Sequence, residues 1–133
     1  MTDPNSAAGH RGLRRRTKAI LIGLLLTPIL IFCLFAWTSL HWDYSNGYRA
    51  GVLQKFSYKG WMCKTGEGEI AQAMVPGVAP TIWNFSVRSD PVAHQLDSLV
   101  GKKVRLHYRE HRGVPTSCFG ETRYFVDSAV VVE

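Results

Sequence analysis

The sequence predicts one membrane-crossing helix followed by a small, mainly β domain. Three observations carry this expectation. Residues 19–40, AILIGLLLTPILIFCLFAWTSL, contain no Asp, Glu, Lys, Arg or His. As a helix rising about 1.5 Å per residue they would reach roughly 33 Å, enough to cross the hydrocarbon of a bilayer. Beyond them, apolar residues recur at alternate positions in several short runs, which is the period of half-buried strands. Between two of those runs, residues 90–101 carry helix start and stop signals around a helical apolar repeat.

Residues 1–18 hold Arg11, Arg14, Arg15, Arg16 and Lys18 against Asp3, or +4 of the chain's +6, which leaves +2 for the residues after the helix. Lys and Arg directly before a first span favour retention of that end in the cytoplasm, so the domain is expected on the far side of the membrane. The opening run MTDPNSAAGHRGL is too poor in apolar residues to pack, and residues 1–18 are expected to form a disordered basic tail. The apolar run exceeds the roughly 7 to 15 residues of a cleaved signal peptide and no clear A-x-A site follows, so it reads as an uncleaved signal anchor. Cys33 follows Phe32 rather than a small residue and reads as an apolar thiol in the membrane, not a lipid-attachment site. Pro28 removes one backbone donor, and Thr27 beside it is expected to satisfy a freed group. Trp37, Trp42 and Tyr44, with Tyr48 after them, form an aromatic belt at the membrane interface.

Residues 41–50 are expected to be a juxtamembrane linker, with Asn46-Gly47 as a turn signal. A first strand is expected over 51–60 and a second over 62–73, where Gly66 and Gly68 suggest a bulge or sharp bend. VPGVAP (75–80) reads as a loop. In the third strand, 81–88, Trp83, Phe85 and Val87 fall on one face. Asp90 and Pro91 then open a helix closed by Gly101, with Val92, Leu96, Leu99 and Val100 on its apolar face. The fourth strand, 103–111, turns Val104, Leu106 and Tyr108 inward and Arg105, His107 and Arg109 outward. Residues 122–132 form a β-branched and aromatic fifth strand.

The order strand, strand, strand, helix, strand, strand over residues 51–133 resembles an OB fold, a five-stranded Greek-key barrel with a helix between its third and fourth strands. A small sandwich or another partly open barrel is the rival. The runs GYRAGVLQKFSYKG, KTGEGEI and ETRYFV resemble a family of uncharacterised bacterial single-pass membrane proteins over about residues 44–133. Some of its members bear the label 6-phosphogluconate dehydrogenase. That activity would need a βαβ unit with G-x-G-x-x-G opening a helix, and no such run occurs. The resemblance implies a bacterial inner-membrane setting, in which the basic leader predicts a cytoplasmic N-terminus and a periplasmic domain.

An oxidising compartment permits a disulfide between Cys63 and Cys118, which in an OB fold sit in loops flanking the usual binding face. Two free buried thiols are the alternative, and the lack of C-x-x-C argues against a redox site. Glu67 and Glu69 share a strand face about 7 Å apart, where a solvated face is the simpler reading than a cation or acid–base site. His107 and His111 are about 13 Å apart along their strand and His94 is isolated, so no metal site is expected. Lys103, Arg105 and Arg109, with Trp61, Trp83 and Phe119, suggest a nucleic-acid groove, but the small charge beyond the helix argues against that partner. Trp83 and Phe85 read as core; Trp61, in the first hairpin loop, reads as an exposed contact.

The sequence therefore predicts a non-enzymatic, membrane-tethered module, with no cofactor or catalytic residue, that meets an envelope protein through the loops near Trp61 and Cys118. The alternative is a barrel binding a small ligand or glycan, with Glu67 and Glu69 involved. A concave pocket ringed by Trp61, Glu67 and Phe119 favours the ligand; a convex apolar patch favours the protein partner.

Overall fold

The computed structural model describes residues 6–72 and 75–133, with residues 6–11 and 13 described by their backbone alone. The chain divides into two compact units, one ending at Trp37 and the other covering Thr38–Glu133. Helix α1 (Ser6–His41) includes a stretch, Arg14–His41, long and apolar enough to cross a membrane. The helix runs back through the basic segment expected to be disordered. Once the apolar stretch is helical, each further residue gains a backbone hydrogen bond without a new nucleation cost, and Ala, Leu, Arg and Lys are good helix formers. The first five residues of the expected tail, and the Ala73 end of the expected second strand, lie outside the described residues. The Thr27 hydroxyl donates to the carbonyl of Gly23 at 2.7 Å. It thus serves its own turn and not the Leu24 carbonyl, whose usual amide partner Pro28 lacks.

In the second unit, β1 (Ser45–Lys59), β2 (Thr65–Gln72), β3 (Ile82–Val87), α2 (Asp90–Asp97), β4 (Lys103–Glu110) and β5 (Tyr124–Val131) follow in order. The strands close into a barrel in the order β1-β2-β3-β5-β4. All pairs are antiparallel except β3 with β5, which meet in parallel at Ser86 and Phe125. With a helix between β3 and β4, this is the OB topology. It is not the doubly wound parallel sheet that dinucleotide binding would require.

Strand β1 organises the barrel by pairing on both sides. Its first half (Ser45–Val52) lies against β4 and its second (Gly51–Lys59) against β2. A register shift between Leu53 and Lys55 turns the strand from one partner to the other. The expected turn at Asn46-Gly47 is therefore strand: these residues pair with Arg109 and Tyr108, and the Tyr44 amide donates to the Glu110 carbonyl at 2.8 Å. A continuous ladder outweighs a local turn preference, and the expected ten-residue linker shrinks to 42–44.

Gly66 and Gly68 do not mark a bulge. Both stay in register with β1 and β3, and both make room for rings inside the barrel. A Cβ on Gly66 would lie 2.9 Å from the Phe56 ring, and one on Gly68 would overlap the Phe85 ring. The core contains Leu53, Ile70, Phe85, Val104 and Leu106, fully enclosed, with Trp83 and Val87 beside them. Helix α2 closes over this core with Ala93 and Leu96, and Leu99 follows just after it; Val100, expected on the apolar face, is exposed. Ser89 takes the N-cap position without a side-chain cap bond, while Asp90 is already helical, one residue later than its expected role as cap.

Candidate functional site

The hairpin joining β1 to β2 is tight. Gly60 adopts φ +127°, a conformation open to glycine and strained for other residues. This turn throws Trp61 and Met62 outward; they are 97% and 87% exposed. The next residue, Cys63, is bonded to Cys118 in the β4–β5 loop, with the Cα atoms 4.9 Å apart. The expected disulfide is therefore present, and it staples the apolar tip to a second loop. Phe119 follows Cys118, half-buried, with the Arg88 guanidinium 6.0 Å above its ring.

A second clamp lies beneath the tip. Glu67 is only 6% exposed, so the expectation of a solvated strand face fails for it. Its Oε1 accepts from the Thr65 hydroxyl at 2.8 Å and from the Glu121 amide at 3.1 Å, and its Oε2 accepts from the Ser86 hydroxyl at 2.7 Å. Ser86 Oγ in turn accepts from the Thr122 amide at 3.0 Å. A buried carboxylate is tolerated because these donors replace its water, and charge-assisted bonds are the strong kind. The cluster pins residues 121–122 to β2 and β3. Nothing in the strand alternation around Glu67 reveals this, because two of its three donors come from elsewhere in the chain, Ser86 on β3 and the Glu121 amide more than 50 residues later. Glu69 is half-buried and shares with Glu67 a hollow of about 220 Å³ that also meets Lys59, Asn84 and Glu121.

Neither hollow near the tip brings Trp61, Glu67 and Phe119 together. The hollow walled by Phe119, about 170 Å³, includes neither Glu67 nor Trp61, and the hollow walled by Glu67 includes neither of the other two. The tip is convex.

A third arrangement lies on the outer face of β4 and β5. His107 Nδ1 donates to Asp127 Oδ1 at 2.6 Å, and Arg109 Nε donates to Asp127 Oδ2 at 3.0 Å. Arg109 Nη1 also lies 3.6 Å from Asp43 Oδ2, whose other oxygen is 3.5 Å from His111 Nε2. His111 is buried, and its Nδ1 faces the Trp42 carbonyl at 3.3 Å. His107 and His111 are thus separated by Arg109 and held by different carboxylates, as their strand spacing implies. Among the described residues, no group of three or more His, Cys, Asp or Glu is placed to hold a metal. Sequence reasoning missed Asp43 and Asp127 here. The outward pair His107 and Arg109 was the available signal, since such a pair needs counter-charges from its neighbours.

Two of the residues suggested for nucleic acid are engaged within the barrel. Trp83 is buried against Phe85, Tyr108 and Tyr124, and Arg105 lies 4.3 Å over Tyr48. Trp37, Trp42 and Tyr44 of the expected belt are all exposed, and Arg112 lies 3.5 Å over the Tyr44 ring.

No curated protein matches the chain. Among solved structures it is similar to the mitochondrial single-stranded DNA binding protein Rim1 of S. cerevisiae, at 13% identity and a TM-score of 0.47, over 69% of this chain and 98% of that one. Residues 43–130 match the family described as a domain of unknown function, DUF8785. That match runs from the residue before Tyr44, where pairing with β4 starts, almost to the end of β5, and the chain belongs to this family.

Proposed function

We propose that this chain is a membrane-anchored, non-enzymatic interaction module that presents its barrel on the periplasmic side of a bacterial inner membrane to an envelope protein. The apolar helix supplies the anchor, the basic residues Arg11, Arg14, Arg15, Arg16 and Lys18 favour a cytoplasmic N-terminus, and a disulfide suits an oxidising compartment. The observation that carries the reading is the exposed pair Trp61 and Met62 on a hairpin fixed by Cys63–Cys118. Trp is the residue most enriched where binding energy concentrates, and a tip already rigid loses little entropy on docking. The separation of Trp61, Glu67 and Phe119 weighs against the small-ligand alternative, which needs them around one concave site.

Crosslinking in intact cells followed by mass spectrometry tests this reading. A reproducible envelope-protein neighbour crosslinked near Trp61 is the expected result; recovery of no protein neighbour counts against it. A reporter fused after Glu133 that is active only in the cytoplasm would reverse the proposed orientation.

A further inference from the structure

A hollow of about 530 Å³ lies beside the third arrangement. Its wall includes Leu40 and His41 at the end of α1, Arg88 at the end of β3, and Asp43, Arg109 and Asp127. Two features define its chemistry. First, Arg88 stacks over Phe119 and Phe125 at 6.0 and 5.7 Å, and no described carboxylate pairs with its guanidinium. Its planar fork is held in place with its donors unspent, the form in which Arg recognises phosphate. Second, Asp43 has only long contacts, 3.5 Å to His111 and 3.6 Å to Arg109, so its oxygens retain lone pairs for another donor.

With His neutral, the charged groups of the wall, Arg88 and Arg109 against Asp43 and Asp127, sum to zero. Such a site favours neither a plain anion nor a plain cation; it matches a ligand that carries both signs a few bonds apart. Leu40, on the wall of the hollow, is the last residue of the apolar run, and an anchored α1 would bring the end of that run to the depth of lipid headgroups. We propose that this hollow binds a phosphate–ammonium headgroup supplied by the bilayer, with the phosphate on Arg88 and a primary ammonium on Asp43. A primary ammonium donates three hydrogen bonds and a quaternary one donates none, so an ethanolamine headgroup fits and a choline headgroup does not. The lipid would fix the barrel's orientation at the surface, independently of any protein docked on Trp61. The inference rests on the reading of α1 as a membrane anchor.

The test is native mass spectrometry of the full detergent-purified chain offered equal amounts of phosphatidylethanolamine, phosphatidylcholine and phosphatidylglycerol. Phosphatidylethanolamine is retained preferentially, and Arg88→Gln and Asp43→Asn each reduce that retention about tenfold, the effect of losing one charge-assisted contact. Both variants keep the Cys63–Cys118 bond and an unchanged melting temperature; if Arg88→Gln fails that control, Arg88→Lys, which keeps charge and loses the fork, gives the same reading with a smaller loss. Retention of all three lipids alike, preference for phosphatidylglycerol, or indifference to the substitutions would overturn the proposal. Glycerophosphoethanolamine without acyl chains binds weakly if the bilayer is the source, and binding as tight as the lipid's would overturn that source. Alkaline extraction of cell membranes separates the two readings: release of the wild-type chain contradicts the anchor, while the binding of glycerophosphoethanolamine still reports on the hollow.

Discussion

The two carboxylate clusters of the barrel differ in what holds them. Glu67 is enclosed, and three donors at 2.7 to 3.1 Å tie it to β2, β3 and the β4–β5 loop. Asp127 and Asp43 are part-exposed, and the contacts of Asp43 are loose. Burial makes the first cluster a structural clamp, because removing the carboxylate leaves several donors without water or partner. Exposure makes the second cheap to rearrange, which suits a surface that meets ligand or lipid. The fold thus fixes the β4–β5 loop beneath the tip and leaves the surface around Asp43 and Asp127 adaptable.

Substitutions on the clamped side should therefore cost most. Replacing both Cys63 and Cys118 by Ser removes a crosslink over a separation of 55 residues, and the chain-entropy model gives a loss of about 4 kcal/mol, read from denaturant unfolding of the detergent-solubilised chain. Glu67→Ala comes next, at about 3 kcal/mol by the same measurement, because the Thr65, Ser86 and Glu121 donors are stranded together. Gly68→Ala forces a methyl against the Phe85 ring and should cost about 2 kcal/mol. On the open side, Asp127→Asn should change stability by less than about 1 kcal/mol, since its partners are solvated. A cost for Asp127→Asn equal to that of Glu67→Ala would erase the distinction between the clusters.

The elements with clear periods were legible. Trp83, Phe85 and Val87, and likewise Val104 and Leu106, point inward as alternation predicts, because one apolar face admits a single strand register. The Cys63–Cys118 bond followed from compartment and element order. What was illegible depends on pairing between distant residues. Glu67 looks like a wet strand residue until residues 121–122 fold over it, and Gly66 and Gly68 look like bend signals until Phe56 and Phe85 point at them. Asn46-Gly47 looks like a turn until β4 lies alongside. The Asp43 and Asp127 contacts were hidden for the same reason: local sequence carries no record of which strand will neighbour β4.

The central claim is that the stapled tip is the docking surface, and the direct measurement is in-cell crosslinking of Trp61→Ala beside the wild-type chain, with Arg105→Ala as the control on β4. The account predicts that Trp61→Ala leaves the membrane level and the disulfide unchanged but loses the protein neighbour, whereas Arg105→Ala keeps it. A neighbour recovered equally with all three chains would contradict it.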